Sequence, residues 1–182
     1  MTAKNLDKIP ALKDLEYISY LDEKGNLPEE LLGKIGAYAI FDRDKKLQYT
    51  GYSRDIYLSL KQHLVRQIER CYWLKVSTIN KPSRKILEET CQNWLGENGS
   101  TPPGNSTPEN KKWSEAIDAK ITMSAAEKET YQNSPELEQI KLLKTIARRL
   151  EAEINEKLQE RGVGMQMRFN PKLKEKGLLD LK

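Results

Sequence analysis

The chain has 182 residues, of which 32% are charged and 37% hydrophobic, and its formal net charge is +4. This length allows one domain with a sizeable core plus an appendage, and the polar balance is still that of a globular protein. Its longest clean apolar run, residues 35–41, is far shorter than the roughly 20 residues that a membrane-spanning helix needs. The composition therefore excludes an integral membrane protein.

The N-terminus and the cysteines indicate the cellular compartment. The first sixteen residues contain Asp7, Asp14 and Glu16, and they lack both an apolar signal segment and the acid-poor composition of a transit peptide. Cys71 and Cys91 stand among apolar neighbours, and the sequence has no second Cys/His pair to complete a zinc site. We therefore expect a cytoplasmic protein whose two thiols are reduced and belong to the core.

Residues 1–34 are predicted to be an N-terminal extension. Alternating apolar residues predict a short strand at 17–21, and Pro28 opens a helix of one or two turns that Gly33 ends. A hairpin follows, because two apolar runs, 35–42 and 47–52, flank a polar tip. These strands are expected to form the scaffold for any chemistry.

Two helices and a third strand complete the predicted core, residues 35–112. Ile56, Leu60 and Leu64 recur every four positions, which predicts a helix over 55–67. A third strand is predicted at 72–79, and a second helix runs from 83 to 95 before a glycine-rich stop. The sequence thus predicts an α+β fold with a small, mixed or antiparallel three-stranded central sheet flanked by helices.

A segment rich in Gly, Pro, Ser, Thr and Asn, residues 97–112, separates this core from a helical C-terminal extension, 113–182. A helix is predicted over 113–132, and a longer one extends from Ser134 to Gly162 with apolar residues at three- and four-residue spacings. Its apolar stripe is expected to dock on the core sheet, to pair with the preceding helix, or to form a homodimer or bind a protein partner through 134–161.

Positive charge is concentrated in the core. Between Lys34 and Lys85 the chain has twelve Lys or Arg residues against four acidic ones. Such an excess is typical of a surface that binds a polyanion, but the same count occurs on ordinary solvated surfaces. Both interpretations stay open on composition alone.

One motif is more specific than the charge. Gly36 and Tyr38 are followed, after ten residues, by Tyr49 and Gly51, and the next predicted helix contains His63. With the glutamate helix after the third strand, this pattern resembles the core of the GIY-YIG nuclease superfamily over about residues 35–105. The residues from Tyr49 onward are similar to a cyanobacterial and plastid branch of that family.

The resemblance implies a Mg²⁺- or Mn²⁺-dependent endonuclease and favours DNA over RNA as its substrate, with selectivity for DNA structure as one option. The residues themselves do not distinguish DNA from RNA or branched from linear substrates. By motif, Tyr38 corresponds to the catalytic base, Tyr49 and His63 to further catalytic positions, and Glu88 to the metal ligand. Gly51 matches the glycine after the second tyrosine, and Asn105 an asparagine further on. Hydrolysis of a phosphodiester needs a base and positive charge, and Mg²⁺ can bind through one carboxylate.

The chain departs from the family at Ser59, where the resemblance expects an arginine. A hydroxyl cannot replace the charged guanidinium fork, and the loss of one such contact commonly costs about 10²–10³ in rate. Arg54, in the loop before the helix, is the candidate substitute in catalysis. Nucleic acid is expected to contact Gly51 and the cations of the core; these are Arg54, Lys61, Arg66 and Arg84.

Each of these residues also has an ordinary structural explanation. Tyr38 and Tyr49 suit a strand, Glu88 suits a solvated helix face beside Glu89, and a lone His63 suits a satisfied core position. Three hypotheses follow: an endonuclease of weak or lost activity, a degenerate domain that binds nucleic acid without cutting it, and a protein-interaction module.

Overall fold

The computed structural model describes residues 9–182, so residues 1–8 of the predicted N-terminal extension, including Asp7, lie outside the described part. The chain divides into two compact units, Met1–Trp113 and Ser114–Lys182. No helix among the described residues is long and apolar enough to cross a membrane.

The first unit is built on a four-stranded sheet in which every neighbouring pair is antiparallel, in the order β1-β4-β2-β3. The strands are β1 (Ile18–Ser19), β2 (Ile35–Phe41), β3 (Leu47–Ser53) and β4 (Trp73–Ile79). The α+β class is therefore as predicted, but the expected three-stranded sheet is wrong by one strand. The additional strand is the short N-terminal one, because Ile18 pairs with Leu74 and Ser19 with Trp73.

The central strand β2 is an apolar run because it is covered on both faces and paired on both sides. All of its residues except Ile35 are buried. At Gly36 the neighbouring strand comes so close that an added Cβ would lie 2.3 Å from the backbone oxygen of Ser77. Glycine is the residue that permits this approach, because it has no Cβ.

Two helices cover opposite faces of the sheet. Helix α1 (Ile56–Arg66) begins where the Asp55 carboxylate accepts a hydrogen bond from the Leu58 amide, and α2 (Arg84–Asn98) is capped in the same way by Ser83. Because side chains alternate along a strand, the even-numbered residues of β2 face α1. The odd-numbered ones pack with α2 in a core of Ala37, Ala39, Phe41, Leu47, Leu87, Cys91 and Trp94.

The chain differs from its prediction between residues 110 and 133. In place of one helix over 113–132, the chain forms α3 (Asn110–Ser114), β5 (Ile117–Asp118), a 3-10 helix (Ala119–Thr122) and α4 (Ala125–Asn133). Local polar caps cause these breaks. The Ser124 hydroxyl and the Glu127 carboxylate each accept a backbone amide at the start of α4, which is a capping box.

The long helix is α5 (Glu136–Arg161), and Gly162, with φ of 83°, ends it in the left-handed conformation. Its buried stripe consists of Leu143, Ile146, Ala147, Ile154 and Leu158. The unit is completed by α6 (Pro171–Lys174) and by β6 (Leu178–Leu179), which pairs with β5. Arg149 of α5 binds Glu127 of α4 at 2.6 Å between Nη1 and Oε1.

Candidate functional site

Four aromatic rings form a cluster on the α1 side of the sheet, which we call the buried aromatic cluster: Tyr38, Tyr49, His63 and Trp113. The Tyr38 hydroxyl lies 2.8 Å from His63 Nε2, at hydrogen-bond distance. The Tyr49 ring stacks on Trp113 with centroids 5.2 Å apart and planes 3° from parallel, and it lies 4.7 Å from the His63 ring. The strands, α1 and α3 thus each contribute a ring.

Two glycines make room for these rings. Gly51 is paired with Tyr38 across the hairpin, and a Cβ at Gly51 would lie 2.7 Å from Tyr49 Cε1 and 3.1 Å from the Tyr38 hydroxyl. Gly104 does the same beneath Trp113, where a Cβ would lie 2.9 Å from the indole nitrogen. The Tyr-x-Gly spacing of β3 is therefore explained by packing of the two phenol rings.

The buried aromatic cluster is electrically neutral at pH 7. Burial, helped by the positive charge of Arg66, lowers the pKa of His63 to about 3. Within residues 9–182, the buried Nδ1 of His63 has no hydrogen-bond partner of good geometry. A contact with the Trp113 backbone favours the protonated imidazolium over the neutral ring, but it is outweighed by burial and by Arg66. Burial also raises the pKa of Tyr38 well above its ordinary value, and that of Tyr49 as well. Both phenols therefore keep their protons.

Ser59 occupies the position where the sequence departs from the resemblance, and it belongs to a small hydroxyl group beside the cluster. Its Oγ donates to Ser53 Oγ at 2.7 Å, and Ser53 Oγ donates to the Asp55 backbone oxygen at 2.9 Å. The nearby Ser59 hydroxyl partly offsets the rise in the pKa of Tyr38 that burial causes. Ser59 thus links α1 to β3 through its hydrogen bond with Ser53.

A second group, the exposed ion-pair cluster, lies on the α2 side and consists of Tyr52, Arg84 and Glu88. Glu88 Oε1 accepts hydrogen bonds from Arg84 Nε at 2.6 Å and from the Tyr52 hydroxyl at 3.1 Å. These bonds, the one from Arg84 first, lower the pKa of Glu88, while Glu88 raises the pKa of Arg84. The carboxylate is therefore ionised and is already paired with a cation.

The predicted Mg²⁺ or Mn²⁺ ligand, Glu88, accepts both of these hydrogen bonds through Oε1, so a metal ion at that oxygen would have to displace the guanidinium of Arg84. Among residues 9–182, no group of three or more His, Cys, Asp or Glu side chains is placed to hold a metal. Tyr52 projects from the opposite face of β3 to Tyr49, so Glu88 is held by the other face of the sheet from the predicted catalytic tyrosines.

The predicted cations differ in their exposure and in their contacts. Arg66 donates through Nη1 to the Trp113 backbone oxygen at 2.8 Å, which ties α1 to α3. Arg54 is exposed and Lys61 half-buried, and in the described part of the chain no hydrogen bond or ion pair joins either to the buried aromatic cluster. Asn105 has a structural contact instead: its side-chain amide pairs with both backbone groups of Thr50, which closes part of the edge strand β3.

Both cysteines are buried, as free thiols. Cys71 Sγ contacts the His63 backbone oxygen at 3.7 Å. Burial raises the pKa of the Cys91 thiol to about 12, and the nearby Glu88 carboxylate adds to the shift. Since a reactive thiol needs exposure and a lowered pKa, neither cysteine has the properties of a nucleophile.

The comparisons with known proteins give a result that the sequence did not suggest. No model of a known protein family matches this chain. A curated relative, bifunctional monothiol glutaredoxin-S16, chloroplastic, from Arabidopsis thaliana, is 34% identical over 79 residues. The match covers 41% of this chain and 27% of the relative, so the chain spans much less than half of that protein.

The similarity to this relative contradicts the family and the function that the sequence motif implies. The identification of a GIY-YIG nuclease is contradicted, because the protein found to be similar is named as a glutaredoxin. The nuclease, endonuclease and DNA-binding roles drawn from that resemblance are overturned by the same finding. A motif of two tyrosines and two glycines describes how a hairpin packs, and in this chain Gly36 and Gly51 are both explained by close contacts. The cytoplasmic location, the divalent metal, the homodimer and the kind of partner stay predictions.

Two members of the clusters, Tyr52 and Trp113, and the neighbouring Ser53 are not among the site residues predicted from the sequence. Trp113 stands at the start of the helix predicted over 113–132, Tyr52 ends the predicted return strand 47–52, and Ser53 follows it. For Tyr52 and Ser53 a signal exists, since they continue the alternation of β3 and must face α2 and α1 respectively. Trp113 lies 64 positions after Tyr49 in the chain, and no local pattern connects the two.

Proposed function

We propose that this chain is a binding module of a thiol redox system, one that docks a redox partner and does not supply the reacting thiol. The observation that carries the proposal is the state of the cysteines. The relative is named for a monothiol glutaredoxin, whereas Cys71 and Cys91 are buried and Cys91 has a pKa of about 12.

The printed name of the relative also describes it as bifunctional, and the chain covers only 27% of it. Two different parts of such a protein can carry its two functions. Because the described part of this chain includes both cysteines and neither is an accessible thiol, we infer that the shared segment belongs to the part without the reacting sulfur.

The docking surface in this proposal is the exposed ion-pair cluster. Tyr52 is 39% exposed, and the Arg84 side chain is 83% exposed although it pairs with Glu88. Tyrosine and arginine are enriched among the residues that contribute most to binding between proteins. Here the two side chains are already oriented by one carboxylate, so their ordering costs less on binding.

The first test concerns the thiols. DTNB is added to the native protein and to the protein in urea, and the absorbance of the released chromophore measures how many thiols react and how fast. We expect both thiols to react after unfolding and neither to react rapidly before it. A native thiol that reacts at the rate of free cysteine would contradict the absence of a reacting thiol.

The second test concerns docking. Titration calorimetry measures binding of a purified single-domain monothiol glutaredoxin to this protein and to two variants, Arg84→Gln and Lys81→Gln. Both variants lose one exposed positive charge. We expect Arg84→Gln to weaken binding about tenfold or more, because it removes an interface arginine, and Lys81→Gln to have little effect. No heat of binding, or equal weakening in both variants, would refute the docking surface and leave the thiol result unaffected.

A further inference from the structure

A pocket in the second unit is lined by more cationic side chains than anionic ones. It has a volume of about 200 Å³ and lies between α5 and α6. Its lining consists of Lys144, Arg148, Pro171, Lys172, Lys174 and Glu175. Four of these six side chains are cationic and one is anionic.

Two of the four cations in the pocket form ion pairs with acidic residues, and the other two do not within the described part of the chain. Lys144 pairs with Glu175 at 3.1 Å, and Lys174 pairs with Glu151 of α5. Within residues 9–182, neither Arg148 nor Lys172 makes an ion pair. The two paired lysines thus frame the pocket, while the remaining two cations face a ligand site without a counter-charge.

Helical spacing keeps this charge concentrated. Lys144 and Arg148 are four residues apart on α5, so their side chains lie on one face of the helix. Glu175 already offsets the charge of Lys144, so an anion at this face would meet Arg148, which has no ion pair among residues 9–182. On the other wall, the Asn170 side chain caps α6 by accepting a hydrogen bond from the backbone amide of Lys172 at 3.0 Å.

We propose that this pocket binds a small anion with at least two negative charges, of the phosphate or phosphate-ester class. A guanidinium offers a planar pair of donors for phosphate oxygens, and an ammonium adds a point charge. The volume is below the range of about 300–1,000 Å³ that is usual for drug-sized ligands, which favours a compact anion over a large cofactor.

The test uses inorganic pyrophosphate as the probe and the full chain as the protein. Titration calorimetry at about 0.15 M sodium chloride, where diffuse surface attraction is largely screened, compares the wild type with Arg148→Gln, Lys172→Gln and Lys157→Gln. Lys157 is the matched control, since it is an exposed lysine of α5 outside the pocket. Circular dichroism confirms that each variant keeps its helix content.

We expect saturable binding of one pyrophosphate per chain, weakened about tenfold by Arg148→Gln and by Lys172→Gln and unchanged by Lys157→Gln. Absence of saturable binding would overturn the proposal. So would equal weakening by all three variants, which would indicate general electrostatic attraction. A short single-stranded oligonucleotide serves as the last arm: if it binds at this pocket and pyrophosphate does not, a polymer surface replaces the small-ligand site.

Discussion

The two faces of the sheet in the first unit carry titratable groups in opposite states. On the α1 face His63 has lost its charge, because burial makes the imidazolium unfavourable. On the α2 face Glu88 and Arg84 keep their charges, because they are exposed and bonded to each other. One layer of backbone separates the two. Residues close in sequence, such as Tyr49 and Tyr52, therefore acquire different roles from the face on which they lie.

The largest effect is expected from Trp113→Ala in the buried aromatic cluster. Trp113 is fully buried and stacks on Tyr49, so the truncation leaves a cavity and should reduce the free energy of unfolding by about 3–5 kcal/mol. Urea unfolding followed by fluorescence reports on the first unit, because the remaining tryptophans, Trp73 and Trp94, both belong to it.

Trp113→Phe is the matched variant for this measurement. The indole nitrogen of Trp113 is buried and has no hydrogen-bond partner within the described residues, so phenylalanine removes an unsatisfied donor and keeps a ring against Tyr49. We expect a smaller loss than for alanine. If alanine costs less than about 1 kcal/mol, the cluster does not stabilise the unit.

The next largest effect is expected from lowering the pH, which reduces the free energy of unfolding through His63. Its folded pKa of about 3 lies below the ordinary value of 6.5, so between these values the unfolded chain binds a proton that the folded one excludes. Stability is therefore full above pH 6.5 and falls as the pH drops through this window toward 3, by about 2 kcal/mol between pH 7 and 5. Urea unfolding at the two pH values measures this loss.

The chain has a single histidine, so the same experiment on His63→Phe isolates its contribution. Most carboxylates of the unfolded chain are still ionised at pH 5, and they should contribute little over this range. We expect the pH dependence between 7 and 5 to disappear in the variant, whatever its absolute stability. An undiminished slope would assign the dependence to other groups.

A smaller effect is expected from deleting one hydroxyl on each face. Tyr38→Phe leaves His63 Nε2 buried without its partner and should cost about 1–2 kcal/mol. Tyr52→Phe removes the same atom from the exposed ion-pair cluster, where water replaces the bond to Glu88, and should change stability by less than about 0.5 kcal/mol. Equal losses in urea unfolding would contradict the difference between the faces.

Local patterns were sufficient for much of the first unit. The periodicity of Ile56, Leu60 and Leu64 and the cap at Ser83 predict helices that the structure contains, and the hairpin tip separates two strands close to their predicted bounds. The predicted strand at 72–79 begins one residue later, at Trp73. These features depend on residues within a few positions of one another.

Contacts between distant segments could not be predicted in this way. The pairing of β1 with β4 and the stacking of Trp113 on Tyr49 depend on how separate elements pack. The helix predicted over 113–132 is wrong because the side chains of Asp118 and Ser124 cap new helical segments within it. For the candidate site, the motif shared with the resemblance groups Tyr38, Tyr49, Gly51 and His63, and the structure does bring them together. The motif gives no sign that the two phenols are buried deeply enough for their pKa values to rise.

The smallest effect is expected from neutralising the ion pair itself, in Arg84→Gln and Glu88→Gln. Both groups are exposed, and Arg84 precedes Glu88 by four residues, which is the less favourable order for such a pair on a helix. Arg84 also lies in the first turn of α2, where the helix dipole disfavours a cation. We therefore expect thermal midpoints indistinguishable from that of the wild type, while binding of the redox partner weakens. If either variant lost as much stability as Tyr38→Phe, the ion pair would contribute to the fold. The two faces of the sheet would then differ in exposure but not in their contribution to stability.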